Sequence, residues 1–190
     1  EIDAMAKVVK INLKDHAHGH ICPNCAEWLA KGPAVLRAEA EQRLLKVQGE
    51  QRDFYEAVCL VMQGEQQFML RYSQLLKTMA DREKDKRWRE NLHVCAANCA
   101  ALAERPPQTF HEAVQSLWFL FVTLHRESNA SSFSPGRLDE FLWPFFEKDR
   151  STGRLTQQQA LESIEALGLK FNEIVYMRNA NSAKFFAGFP

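Results

Sequence analysis

Apolar positions recur at helical spacing through most of the chain, and the breaks between runs fall at turn-forming residues, so the sequence predicts a succession of helices. Over residues 53–82, Phe54, Val58, Val61, Phe68, Tyr72, Leu75, Leu76 and Met79 trace one stripe on a long helix. A shorter helix is predicted before it, from Pro33, whose fixed φ suits a first turn, to about Val47. Trp88, Leu92, Cys95, Cys99 and Leu102 keep the same period, giving a third helix that stops before Arg105-Pro106-Pro107. Thr109 and Glu112 have the spacing of a capping box and open an almost wholly apolar helix through Leu124. Such a helix must be covered on most sides. A further helix is expected over 137–148 and a turn over 149–153. Thr156 with Gln159 then makes a second capping box, starting a helix that runs to about Val175. Strand signals are confined to residues 7–13 (K-V-V-K-I-N-L) and the Phe-rich terminal segment. No repeat or flexible linker interrupts the order, so residues 1–190 read as part of a single, mainly α domain.

Charge narrows the choice of partners. With 24 Lys plus Arg against 24 Asp plus Glu, the formal net charge is zero, so the basic excess that displaces counterions from phosphates is missing and nucleic acid is not an expected partner. The longest apolar run, residues 117–124, is far short of the ~20 needed to span a bilayer, and residues 1–14 lack the apolar core of a signal peptide. The expected location is the cytoplasm. Five cysteines without export signals point to free thiols. The first residue is Glu and the last residues are apolar, from which a fragment of a longer protein is inferred.

Two stretches carry candidate chemistry. Residues 15–25 (D-H-A-H-G-H-I-C-P-N-C) put three histidines beside a C-x-x-C, which supplies ligand types that zinc prefers. Against a structural zinc site, the only other cysteine pair is Cys95 and Cys99, on the inner stripe of a helix, where Cys acts as a small hydrophobe. His93, His111 and His125 stand alone on helices and read as structural. Residues 127–137 (E-S-N-A-S-S-F-S-P-G-R) set several hydrogen-bonding side chains and Phe133 directly after a buried helix. A pocket for a small polar molecule needs such a mixture, and a turn that caps the next helix uses the same residues.

Five ordered blocks bear a resemblance. They are K-I-N-L-K-D-H-A-H-G-H-I-C-P-N, R-P-P-Q-T-F-H-E-A-V-Q-S-L-W-F, E-S-N-A-S-S-F-S-P-G-R-L-D-E-F-L-W-P-F-F, L-K-F-N-E-I-V and S-A-K-F-F-A-G-F-P. Together they resemble the pyruvate formate-lyase-like glycyl radical enzymes, most nearly the formate acetyltransferase 2 type and the related diol and amine-releasing lyases. The resemblance implies a ten-stranded α/β barrel enclosing the reaction. In that family a backbone glycyl radical draws hydrogen from a cysteine, whose thiyl radical attacks a small polar substrate and cleaves a C–C, C–O or C–N bond. A separate S-adenosylmethionine-dependent iron–sulfur activase installs the radical. The resemblance further implies an oxygen-sensitive homodimer, with both radical-bearing loops beyond Pro190, so that no catalytic residue is assigned here and this portion alone is not expected to turn over.

The substrate-facing wall is what carries over residue by residue. By that resemblance His20, Ser131, Ser132 and Phe133 face substrate, while Arg137 and Asp139 fix the loop and helix geometry. Ser131 stands where diol dehydratases have His, which removes a group that can be cationic near neutral pH and argues against glycerol or propanediol as substrate. Cys25 and Gly168 stand where relatives carry aromatic residues, leaving space that a neighbour fills or that enlarges a cavity. The family counterpart of residues 15–25 binds no metal. The competing expectation, from another class, is a self-contained helical module that holds zinc or a protein partner through Asp15 to Cys25.

Overall fold

The computed structural model describes residues 21–128 and 133–173, and every regular element among them is helical. In chain order these are α1 (Cys25–Leu44), α2 (Glu50–Arg82), α3 (Lys86–Glu104), α4 (Phe110–Ser128), α5 (Leu138–Ser151) and α6 (Gln157–Glu173). The two candidate strands lie outside the described residues, as does the predicted last turn of α6 near Val175. Helices α2 and α3 form an antiparallel hairpin across a short connection, and α1 packs along α2. Helix α4 is the hub. It touches α1, α3, α5 and α6, and buries Phe110, Ala113, Val114, Leu117, Phe119 and Phe121, so the cover that its apolar sequence demands is largely in place.

Two sequence expectations need correction. Helix α1 starts at Cys25, well before Pro33. Asn24 caps it, the side-chain oxygen accepting from the Glu27 N–H at 3.2 Å while the amide donates to the Glu27 carboxylate at 3.0 Å. Gly32 then breaks the helix with φ 64° and ψ 176°, and Pro33 begins its second half, so the predicted start is in fact a kink. The second correction concerns α2. Its packed line is Glu65, Met69, Ser73 and Ala80, whereas Phe54, Val61, Tyr72, Leu75 and Met79 are exposed. Small residues draw the backbones together: Ser73 and Ala80 on α2, Ala96, Cys99 and Ala103 on α3, all buried. The predicted stripe is therefore rotated relative to the packed face: Phe68 and Leu76 pack against the core, while Phe54, Val61, Tyr72, Leu75 and Met79 face outward.

Polar ties fix how the helices meet. The Trp28 indole N–H donates to the Ser116 carbonyl at 3.1 Å, pinning α1 to α4. Buried Glu112 accepts from Arg105 at 2.8 and 3.0 Å and from the Gln108 N–H at 2.7 Å. The Thr109 hydroxyl caps α4 by accepting from the Glu112 N–H, as the box predicts, and the Glu112 carboxylate in turn faces the backbone N–H groups of Gln108 and Thr109. The Thr156 and Gln159 box is reciprocal, as expected. Asp149 lies inside α5 rather than in the predicted turn. Its buried carboxylate accepts from the Phe110 N–H at 2.8 Å and from Arg154 at 2.9 Å, so one helix caps another. The turn proper follows at Gly153, where φ is 71°.

Candidate functional site

The loop after α4 meets the segment before α1. The Ser134 N–H donates to the Ile21 carbonyl at 3.0 Å, and Gly136, at φ 75°, brings its backbone against Cys22 and Phe141. Local chemistry explains both arms of the contact. Pro23 and the Asn24 cap hold residues 21–24 at the head of α1, whose first turn is anchored by the buried side chains of Cys25, Trp28 and Leu29. On the other arm, Arg137 is the N-cap residue of α5 and forks onto Asp139 with bonds of 2.7 and 2.9 Å. The ion pair raises the Arg137 pKa and holds Asp139 below the usual carboxylate range, yet both side chains are exposed, so the pair shapes the turn and adds little stability. That is the geometric role the sequence assigns to these two residues.

His20, Ser131 and Ser132 lie outside the described residues. Phe133 is described and half-buried, packed edge-on against the His125 ring at 5.0 Å and against Phe121 at 6.5 Å. Phe121 also meets Phe171 of α6 at 4.7 Å, and Phe171 meets Trp118. Aromatic faces from α4, α6 and the loop thus line one corner beside the junction at Ile21 and Ser134. The only polar side chain described within this aromatic group is His125, whose Nδ1 donates to the Phe121 carbonyl at 2.7 Å; Nε2 of the neutral ring is then the unprotonated nitrogen. The sequence reading of His125 as a structural histidine agrees with its bond to the Phe121 carbonyl. Its position one residue after the apolar run gave no sign that its ring would meet Phe133 edge-on.

The cysteines divide by environment. Burial, and then the neighbouring Cys22, push the Cys25 thiol up to about 11. Cys99, on the inner side of α3 as expected, is likewise pushed up to about 11, first by burial and then by Cys95. Gln115 donates to its sulfur and to the Cys95 carbonyl, and Asn98 bonds both Gln115 and the His111 ring, so His111 belongs to a structural network, as predicted. Among the described residues no group of three or more His, Cys, Asp or Glu side chains is placed to hold a metal ion; Asp15, His16, His18 and His20 lie outside them. No helix among the described residues is long and apolar enough to cross a membrane.

A separate groove of about 690 Å³ runs between α5 and α6, lined mainly by Leu138, Leu142, Trp143, Phe146, Leu161 and Ile164. It is open and mostly apolar, which suits packing better than a small polar substrate. Gly168 does not enlarge a cavity: it is exposed, and an added Cβ would meet nothing within 4 Å.

Comparison with known proteins agrees on one kinship. Residues 3–190 match the model of the family described as pyruvate formate lyase-like. A (2S)-3-sulfopropanediol dehydratase of Klebsiella oxytoca is 32% identical over 173 residues, covering 87% of this chain and 21% of that protein. The glycerol-bound B12-independent glycerol dehydratase from Clostridium butyricum superposes with a TM-score of 0.85 at 27% identity, over 94% of this chain and 23% of that one. A glycyl radical enzyme from Archaeoglobus fulgidus superposes with a TM-score of 0.81 at 30% identity, over 94% and 25%. The chain spans about a fifth of the length of the curated relatives it matches.

Proposed function

The chain belongs to the pyruvate formate lyase-like family, and on that premise we propose that it is part of a glycyl radical enzyme that eliminates a leaving group from a small polar substrate. The observation that carries the reading is the junction at Ile21 and Ser134. It brings together the stretch that follows His20 and the loop that follows Ser132, the two places at which the family resemblance puts substrate-facing residues. His20, Ser131 and Ser132 would supply hydrogen bonds to the substrate and Phe133 an apolar wall, with the Phe121, His125 and Phe171 faces behind it. Two relatives compared here are dehydratases, which favours elimination over acyl transfer.

In the intact enzyme these residues line one side of a ten-stranded barrel. A glycyl radical, installed by an S-adenosylmethionine-dependent iron–sulfur activase, supplies the hydrogen-abstracting chemistry through a cysteine outside this stretch. This chain's own part is to orient the substrate and to exclude water, which protects reactive intermediates. Because Ser131 and Ser132 offer hydroxyls and no imidazole, the preferred substrate is one whose polar groups need no cationic donor at that point. A homodimer working anaerobically in the cytoplasm fits this reading.

Electron paramagnetic resonance of the full-length protein, activated anaerobically, tests it. A glycyl doublet, with water or another leaving group released from one of a panel of small diols, hydroxy acids and sulfonates, is the expected result. Absence of the doublet after activation under strict anaerobiosis would overturn it. On the same activated protein, Ser132→Ala is expected to raise KM by about tenfold, the cost of one lost substrate hydrogen bond.

A further inference from the structure

Gly64 sits near the middle of the 33-residue helix α2, where glycine is the least favourable residue after proline. Its backbone is ordinary helix, unlike that of Gly32 or Gly136, and an added Cβ would meet nothing within 4 Å. Neither conformation nor any described neighbour therefore requires a glycine here. The surroundings are apolar and open: Leu60 is 68% exposed, Val61 46% and Leu75 52%. Ala57, Val61, Gly64, Arg71, Leu75 and Thr78 follow one another at steps of three, four or seven residues, the 3.5-residue period that keeps one line of side chains against a neighbouring helix. All six are exposed, and at 1.5 Å per residue the line runs for about 30 Å. Phe68, which completes the spacing, is half-buried under the Arg126 guanidinium and marks the border with α4.

We propose that this face of α2 is the docking site of an α-helix from the rest of the same polypeptide, one that lays an apolar stripe along Val61 and Leu75 and sets an acidic side chain against Arg71. The period selects a helix, because a strand or loop does not match a 3.5-residue repeat over that length. The bare backbone at Gly64 lets the two axes come close, since the side chains at a helix contact set the interaxial distance. Arg71 fixes the charge of the partner: a guanidinium within an apolar line, once covered, needs a carboxylate beside it. The same polypeptide is the source because the chain spans about a fifth of its relatives' length, so most of the protein available to cover the face is tethered to it, at a far higher effective concentration than a second copy. Docking of this kind is independent of the radical reaction proposed above.

In the full-length protein, native-state amide exchange around residue 64 reads the occupant from the sign of one substitution. Over an open face, Gly64→Ala strengthens the helix and slows exchange about fivefold. Under a docked helix the added methyl group overpacks the contact, and exchange is expected to speed up about tenfold instead. Arg71→Glu, which sets like charges together, should speed it as well. If Gly64→Ala does not fold, hydroxyl-radical footprinting of the unsubstituted protein decides: Val61 and Leu75 should react about tenfold more slowly than after denaturation, as residues of a packed interior do. Their protection should be unchanged on dilution, since the partner is tethered. Slower exchange in Gly64→Ala, or Val61 and Leu75 as reactive as half-exposed residues, would overturn the docking site. Protection that fades on dilution would assign the face to a second copy and overturn the occupant. Neither readout needs turnover, so both remain decisive if the radical chemistry is absent.

Discussion

At the scale of single residues, the buried ionisable groups are held by specific partners, and this sets how the protein responds to acid. Burial raises the Glu112 pKa, but the bonds from Arg105, Gln108 and Thr109 outweigh it and leave it below its ordinary 4.5. His111 is pushed below its ordinary 6.5 by burial, partly offset by Glu112. Both groups therefore bind protons more weakly folded than unfolded. Each contributes stability that is complete above its unfolded pKa and lost as pH falls through its folded pKa. Stability should decline in two stages, the first below about 6.5 from His111 and the second below about 4.5 from Glu112. Unfolding measured by denaturant across pH checks this, and His111→Gln should remove only the upper stage. Asp149 allows a sharper test. Asp149→Ala leaves the buried Phe110 N–H without an acceptor and removes the Arg154 partner, a loss of about 2 kcal/mol. Asp149→Asn keeps an acceptor for the N–H and should cost less, so the order of the two melting temperatures decides whether the cap matters.

At the scale of the helices, two glycines with opposite roles make the contrast explicit. Gly32 kinks α1 at φ 64° and ψ 176°, a conformation that Ala adopts only with strain, although the space around it is ordinary. Gly168 sits inside exposed α6 with nothing within 4 Å of an added Cβ. Gly32→Ala should destabilise by about 1–3 kcal/mol, and Gly168→Ala should stabilise by about 1 kcal/mol, both read by thermal unfolding. The kink also shows where sequence reading stops. Periodicity located all six helices among the described residues, because a stripe of apolar residues needs only its own spacing to be visible. It missed the first turns of α1, though Asn24 and Glu27 have cap spacing, because the break at Gly32 leaves only two turns before Pro33, too few for a stripe to show. It caught only one edge of the packed face of α2, at Phe68 and Leu76, because the rest of that face is Ser73 and Ala80, with Ala96 and Cys99 buried on α3, and such residues weigh little on a hydrophobic scale. The site was legible only through resemblance. No spacing rule links Ile21 to Ser134, since their bond depends on a turn that the local sequence does not specify alone.

At the scale of the whole chain, the apolar rows left outside matter most. Phe54 is 63% exposed, Leu75 52% and Met79 47%, all on one side of α2, and Trp143 and Leu161 stand open at the α5 and α6 groove. Scattered exposed apolar residues are ordinary, but rows of them along one helix face are not. Since the chain spans about a fifth of its relatives' length, these rows have the character of faces that pack against further protein. The hub helix α4, by contrast, is already covered and does not depend on such packing. The 190-residue chain by itself is therefore expected to keep its helices while associating through α2. Sedimentation should show assemblies that grow with concentration, and circular dichroism should show helix content unchanged. Phe54→Lys with Leu75→Lys introduces charge at exposed positions, so it should shift the distribution toward monomer while costing no more than about 0.5 kcal/mol of stability. Assembly that persists in this variant would place the association elsewhere, with the α5 and α6 groove next in line, and Trp143→Lys would then be the substitution that disperses it.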